Sequence, residues 1–259
     1  MIDPFHLEAY GKTTINYNRD VEVFPVLNAM FEKIMGESPY KSPTDMGVNM
    51  AGLGIIDDDA VQRAAKQEII RRYYEAMCRK RQGTGDNSEV MKIELLMKQA
   101  GITIDARPVI SAANIKAEAT GEPAAAIELE DGTIITGKTS ELLGASSAML
   151  LNALKMLAGL DDSILLLSPD IIGPMQDLKV KHLGDKSPML HIEEILLALS
   201  ISAVTDDNAK KALDQLPKLR GLEVHSSVIL SQVDINLFHT LGVNLTCEPV
   251  YQTKKLYHK

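Results

Sequence analysis

Apolar positions along the chain change their period near residue 120. Before that point they recur at helical spacing. Asp57-Asp58-Asp59 opens a long helix whose stripe Val61, Ala65, Ile69, Tyr73 and Met77 follows the i,i+4 rule until Gly83-Thr84-Gly85 breaks it. Asp3-Pro4 reads as an N-cap with proline at the first helical position, and Pro25 starts a helix running to the stop at Gly36. Further helices are predicted from Ser88 to Ala100, closed by Gly101, and after Pro108.

From Pro123 onward the spacing shortens. Ala124 to Glu130 and Thr133 to Gly137 flank Asp131-Gly132, a hairpin signal in which glycine supplies the positive φ that a tight turn needs. A long apolar helix is predicted from Ser140 to the Gly159 stop. Ile164 to Leu167 reads as a buried central strand, and Ser168-Pro169 as the start of another helix. Helices at His191 to Val204, at Asp206 to Leu216 behind a Thr205 cap, and at Asp234 to Leu241 alternate with strands at Glu223 to Leu230 and Val243 to Cys247. The helices Leu142 to Leu157 and Ile195 to Val204 are more apolar than a free surface tolerates, so something must cover them.

The expected fold class is α/β (α+β): a helical lobe over residues 1–120, then a three-layer α/β lobe with a mixed sheet over 121–259. The order of strands and helices in the second lobe is similar to that of the zinc-dependent cytidine deaminases. Those enzymes need His or Cys with Glu at one helix start and Pro-Cys-x-x-Cys at the next. Here Ser140-Glu141-Leu142 and Ser168-Pro169-Asp170 stand in those places, without thiolate or imidazole, so no zinc site is expected.

Composition narrows the partners. A formal charge of −8 with 45% hydrophobic residues in 259 allows a substantial core and argues against nucleic acid, whose binding rests on clustered Lys and Arg. The one basic run, Arg71-Arg72 with Arg79-Lys80-Arg81, shares its helix with Glu68 and Glu75 and reads as an i,i+4-paired face. Two cysteines, Cys78 and Cys247, form no disulfide framework. No stretch has membrane-spanning length and no signal-peptide pattern is present, so a cytoplasmic location is expected.

One stretch carries more polar groups than either period explains. Asn16, Asn18, Arg19 and Asp20 with Lys41, Ser42, Thr44, Asp45 and Asn49 combine amides, hydroxyls and paired charges. Arg19 and Lys41 suit an anion that the other groups orient, so a small phosphate-bearing ligand is the expected partner. The competing reading is an Asx-turn loop satisfied by its own side chains, docking the two lobes. His225 and Ser226 interrupt an otherwise apolar strand and, at a sheet end, would contact a ligand. Cys247 and His225 on neighbouring strands offer a nucleophile pair or, more simply, a buried cysteine and a hydrogen-bonded histidine. His191-x-x-Glu194 is half of a metal site with no second half, and Asp57 to Asp59 reads as a helix cap rather than a metal cluster, so no metal is expected and no cofactor is indicated. His6, His182, His239 and His258 have no neighbours that imply chemistry.

Asp3-Pro-Phe-His-Leu7, Asn16-Tyr-Asn-Arg-Asp20, Tyr40 to Asn49 and Lys66-Gln-Glu-Ile-Ile-Arg-Arg72 resemble signature segments of bacterial domain-of-unknown-function family 1846, also called uncharacterised protein family 0371. Leu129-Glu-Asp-Gly132, Leu196 to Ser200, Gln215 to Leu219, Val224-His-Ser226 and Leu245 to Pro249 extend the resemblance over nearly the whole chain. Members are about twice this length, which implies several domains. The resemblance implies that Met1 matches an internal methionine, that the chain is a C-terminal half, and that a missing N-terminal half with a Gly-rich loop is its partner. It implies no catalytic residues. The peptidase label that some members carry finds no His-Glu-x-x-His, and no nucleophile with its base, here. The expected function is therefore the C-terminal half of a nucleotide- or phosphate-ligand-binding protein or enzyme. Its rival is a non-catalytic oligomerisation or scaffolding module, and a homo-oligomer suits both.

Overall fold

The computed structural model describes residues 20–38 and 58–252. The chain divides into two compact units, Met1–Arg107 and Pro108–Lys259. In the first, α1 (Asp20–Met35), α2 (Asp58–Gln82) and α3 (Asn87–Gln99) pack together, and a 3-10 turn (Ile104–Ala106) follows. α1 begins at Asp20 rather than at Pro25, which lies inside it, and it ends at Gly36 with φ +86°. On α2 the buried positions are Ala64, Glu68, Ile69, Ile70, Tyr74 and Ala76, a face rotated from the expected stripe, with Tyr73 and Met77 only half-buried. The basic run pairs at helical spacing: Arg71 and Arg72 lie 3.1 and 2.8 Å from Glu68, and Arg79 2.8 Å from Glu75. Arg107, fully buried, donates to Gln67 Oε1, and Gln67 donates to the Ala106 carbonyl.

The second unit opens with α4 (Pro108–Thr120), then the hairpin β1 (Ala124–Glu128) and β2 (Ile134–Lys138). Gly132, at φ +82°, turns it, and Asp131 Oδ1 accepts the Thr133 N–H at 2.9 Å. β3 (Glu223–Ser226) pairs antiparallel with β1 and parallel with β4 (Asn244–Cys247), so the sheet is mixed with order β2-β1-β3-β4.

Residue alternation sends the two sheet faces to different helices. Ala126 meets Val109 and Ala113 of α4. Ala125, Ile127 and Val224 join the large core with α5 (Ala145–Leu157), α6 (Pro169–Asp177), α7 (Ile192–Ser202), α8 (Asp207–Leu213) and α9 (Gln232–Leu241). The three-layer α/β arrangement follows. Buried Gly137 of β2 lets α5 approach closely: a Cβ there would lie 2.1 Å from the Met149 nitrogen.

Several expected boundaries are corrected. α5 starts at Ala145, not Ser140. The Ser140 hydroxyl accepts the Leu142 and Leu143 N–H groups, and the Leu142 carbonyl accepts from Leu190, so this segment bridges to Leu190 before it coils. Ile164 to Leu167 is not a strand. Leu166 and Leu167 enter the core from a loop while Leu165 stays exposed, because β1 pairs directly with β3 and leaves no central place. The deaminase-like order is accordingly not confirmed. The β3 strand ends at Ser226 rather than Leu230, α8 is capped by Asp206 rather than Thr205, and the last turns toward Leu216 give way to a 3-10 segment (Leu216–Leu219). α5 is covered by the sheet, whereas α7 keeps Leu197, Ile201 and Val204 beyond its end exposed at 58, 71 and 82%.

Candidate functional site

Of the expected site residues, Asn16, Asn18, Arg19, Lys41, Ser42, Thr44, Asp45 and Asn49 lie outside the described residues, and Asp20 is the first residue of α1. His225 and Ser226 lie on β3, both fully buried. Cys247 faces Ser226 across the parallel pair, as neighbouring strands require, and is itself buried. His182 and His239 are exposed, and His6 and His258 fall outside the described residues.

His225 points to the α4 side of the sheet. Its Nδ1 is 2.8 Å from Thr246 Oγ1, and its Nε2 faces Glu248 Oε1 at 3.3 Å. Asn114 of α4 donates to that same carboxylate oxygen at 2.8 Å, so a hydroxyl, imidazole, carboxylate and amide form one chain from β4 to α4. Ser226, on the opposite face, donates to the Val228 carbonyl and closes the turn after β3. This chain, buried at His225 and Thr246 and partly exposed at Glu248 and Asn114, ties α4 to the sheet.

The other face is different in kind. Beyond the carboxyl ends of β2 and β3, the starts of α5, α7 and α9 come together. The Leu190 carbonyl accepts the Gly144 N–H at 3.2 Å and the Ser147 hydroxyl at 3.0 Å, which sets His191, the N-cap of α7, beside the start of α5. Asp234 of α9 reaches the same place: Oδ2 lies 3.2 Å from His191 Nδ1 and accepts from Ser231 Oγ at 2.9 Å, while Oδ1 accepts the Ile192 N–H at 3.4 Å. Glu194 Oε2 accepts the His191 N–H and the buried Lys179 ammonium, each at 2.7 Å. Lys179 stands on a π-helical turn (Leu178–His182) after α6. The His191-x-x-Glu194 spacing thus serves a helix cap, and among the described residues no group of three His, Cys, Asp or Glu could hold a metal.

Two carboxylates occupy the start of α7, Ser231 caps α9, and Asp86 and Asp206 cap α3 and α8. The start of α5 has Gly144 at its cap and no capping side chain. A helix leaves its first N–H groups without internal partners, and those of Ala145, Ser146 and Ser147 have no acceptor among the described residues. Ser146 Oγ is buried and also lacks a partner. Cα–Cβ bonds of a helix tilt toward its start, which carries this first-turn side chain toward the end where those N–H groups lie.

Charge is tuned here too. The bond to Asp234 raises the His191 pKa above its ordinary value, burial opposes this, and the Asp234 charge adds to the rise. Burial pushes the Asp234 carboxyl up, but the bond and charge of His191, with Ser231 and the Ile192 N–H, hold it below its usual value. The half-exposed imidazole beside the start of α5 is therefore more readily protonated than an ordinary histidine. In the sequence His191 reads only as half of a metal pair, Asp234 only as a helix start, and nothing marks Lys179 or Ser146. The available signal was the Gly144-Ala-Ser-Ser147 run before an apolar helix, with no acidic cap.

Two family descriptions match the chain: "Domain of unknown function DUF1846, N-terminal" over residues 1–101 and "Domain of unknown function DUF1846, C-terminal" over residues 105–257. The UPF0371 protein of Corynebacterium urealyticum is 56% identical over all 259 residues, which cover 52% of that relative. Those of Streptococcus thermophilus and Corynebacterium glutamicum are 53% and 54% identical over the same span, again 52% of their length. The chain spans about half the length of these curated relatives. The expectation of a C-terminal half is corrected in that the chain matches both descriptions, the N-terminal one over residues 1–101, and a missing N-terminal half as a partner is not shown. Among the described residues no helix is long and apolar enough to cross a membrane.

Proposed function

The chain belongs to the DUF1846 (UPF0371) family, and from that premise we propose that it binds a small phosphate-bearing ligand at the start of α5. The observation that carries this reading is the uncapped N-terminus there. Three N–H groups and a buried, unpartnered Ser146 hydroxyl converge at a glycine cap, beyond the carboxyl ends of the strands where α/β sheets bind ligands. A helix start carries partial positive charge, and phosphate oxygens supply the missing acceptors. For the whole protein the corresponding reading is a nucleotide- or phosphate-ligand-binding protein or enzyme. Arg19 and Lys41, with Asn16, Asn18, Asp20, Ser42, Thr44, Asp45 and Asn49, are proposed as a second ligand-binding stretch, and Arg19→Ala and Lys41→Ala test it separately.

Gly144→Asp tests the site. The cap backbone, at φ −67° and ψ 158°, suits aspartate, and a Cβ there meets only the Leu190 carbonyl oxygen at 3.8 Å. The added carboxylate takes the place of the ligand. Inorganic phosphate and nucleoside phosphates should raise the thermal midpoint of the unaltered chain by more than that of the variant, which keeps only the Arg19–Lys41 stretch. An equal rise in both would overturn the assignment.

The rival reading, an oligomerisation module, is favoured by the exposed Leu197, Ile201 and Val204 on and just past α7. Sedimentation of Ile201→Glu beside the parent chain tests it: an assembly that dissociates supports the module, and a monomer in both cases sinks it.

A further inference from the structure

The open start of α5 and the His191–Asp234 pair are side by side, and their neighbourhood says more than either alone. Gly144 and His191 follow directly on Leu143 and Leu190, which pair in parallel, and the Leu190 carbonyl is held by Gly144 and Ser147 of α5. The imidazole cannot turn freely. Its Nδ1 is tied to a carboxylate that is 5% exposed and is itself fixed by Ser231 and the Ile192 N–H. The side chain is nonetheless 49% exposed. The other charges near the ring are spoken for: Glu194 is turned onto Lys179 and the His191 N–H, and Lys179 onto Glu194 and the Met189 carbonyl.

We propose that His191 is the cationic contact of the α5 anion site, positioned by Asp234, and that its protonation sets the affinity of the site for a phosphate group. This rests on the reading of the preceding subsection. A buried carboxylate accepting from Nδ1–H fixes the ring and its neutral tautomer, and its charge favours adding a second proton at the far nitrogen, the arrangement by which carboxylates orient histidines elsewhere. Protonated, the ring adds a charge-assisted donor beside three backbone N–H groups. Neutral, it offers the anion a lone pair instead. Asp234, with its pKa lowered, stays anionic near neutral pH, so of the pair it is His191 whose charge responds there. Affinity should therefore fall as pH rises through the His191 pKa, which lies above its ordinary value.

Sulfate is the suitable probe, because it resembles phosphate and keeps its charge across this range. Binding to the full chain is followed from pH 5.5 to 8.5 by the amide signals of Ala145 to Ser147 and the imidazole signals of His191. Saturating sulfate should raise the His191 pKa, since a ligand that prefers the protonated form must stabilise it. His191→Gln should weaken sulfate binding at low pH by about tenfold and flatten its pH dependence. Sulfate binding at Ala145 to Ser147 with an unmoved His191 titration overturns this inference while leaving the anion site standing. Absence of any saturable change at those amides overturns both. Should His191→Gln fail to fold, the titration of His191 in the parent chain, with and without sulfate, still decides.

Discussion

His191 Nδ1 lies 3.2 Å from Asp234 Oδ2, joining the first residue before α7 to the first turn of α9 through a pair in which one partner is half-exposed and the other buried. The two pKa shifts have opposite signs and so define a window. A raised histidine pKa stabilises the fold fully below its unfolded value, near 6.5, and that contribution is lost as pH rises through the folded value. A lowered aspartate pKa stabilises above its unfolded value, near 3.9, and is lost as pH falls through the folded one. Urea unfolding across pH should show this contribution strongest between the two. Asp234→Asn should cost about 1–3 kcal/mol and remove the loss on the alkaline side. A variant whose stability follows the parent at every pH would refute the pairing.

Gly137→Ala should be among the most damaging single-methyl additions in the second unit. The added carbon would meet the backbone of Met149 at 2.1 Å, and neither α5 nor β2 has a flexible side-chain end there to yield. A loss of about 1–3 kcal/mol or more in chemical denaturation is expected. A neutral result would mean that α5 stands farther from the sheet.

Ser146→Ala should go the other way. The hydroxyl is buried without a partner, so its removal spares a desolvation cost and should stabilise the ligand-free protein by roughly 0.5–1 kcal/mol. The same change should weaken anion binding. If alanine destabilises the protein, the hydroxyl has a protein acceptor and is not waiting for a ligand.

His225→Ala removes the middle of the chain from Thr246 to Asn114 and leaves Glu248 facing a void. A cost of about 2–4 kcal/mol is expected. Hydrogen exchange should localise it, with the amides of α4 and β4 losing protection together. Loss confined to β3 would show that the chain does not hold α4.

Much of this fold is legible in the residues. Asp131-Gly132 specifies its hairpin because few residues other than glycine accept the backbone it needs, and the helical stops at Gly36 and Gly101 follow from the same constraint. Ile164 to Leu167 misleads because an apolar run reads alike whether it pairs in a sheet or tucks two leucines into the core from a loop. The face of α2 is rotated because Glu68 is buried by pairing with Arg71 and Arg72, which hydrophobic periodicity cannot register. The site follows the same rule. His225 marked itself as a polar residue in an apolar strand, but its burial depends on Asn114 and Glu248, residues 111 and 23 positions away in sequence. His191 and Asp234 are 43 residues apart, and only the packing of α7 against α9 brings them into contact.

The most direct test of the account compares the parent chain with Gly144→Asp while inorganic phosphate is added and backbone amide shifts are followed residue by residue. Saturable shifts are expected at Ala145, Ser146 and Ser147, with His191 responding alongside, and none of them in the variant. Shifts that never saturate, or that persist unchanged once the aspartate caps the helix, would contradict it.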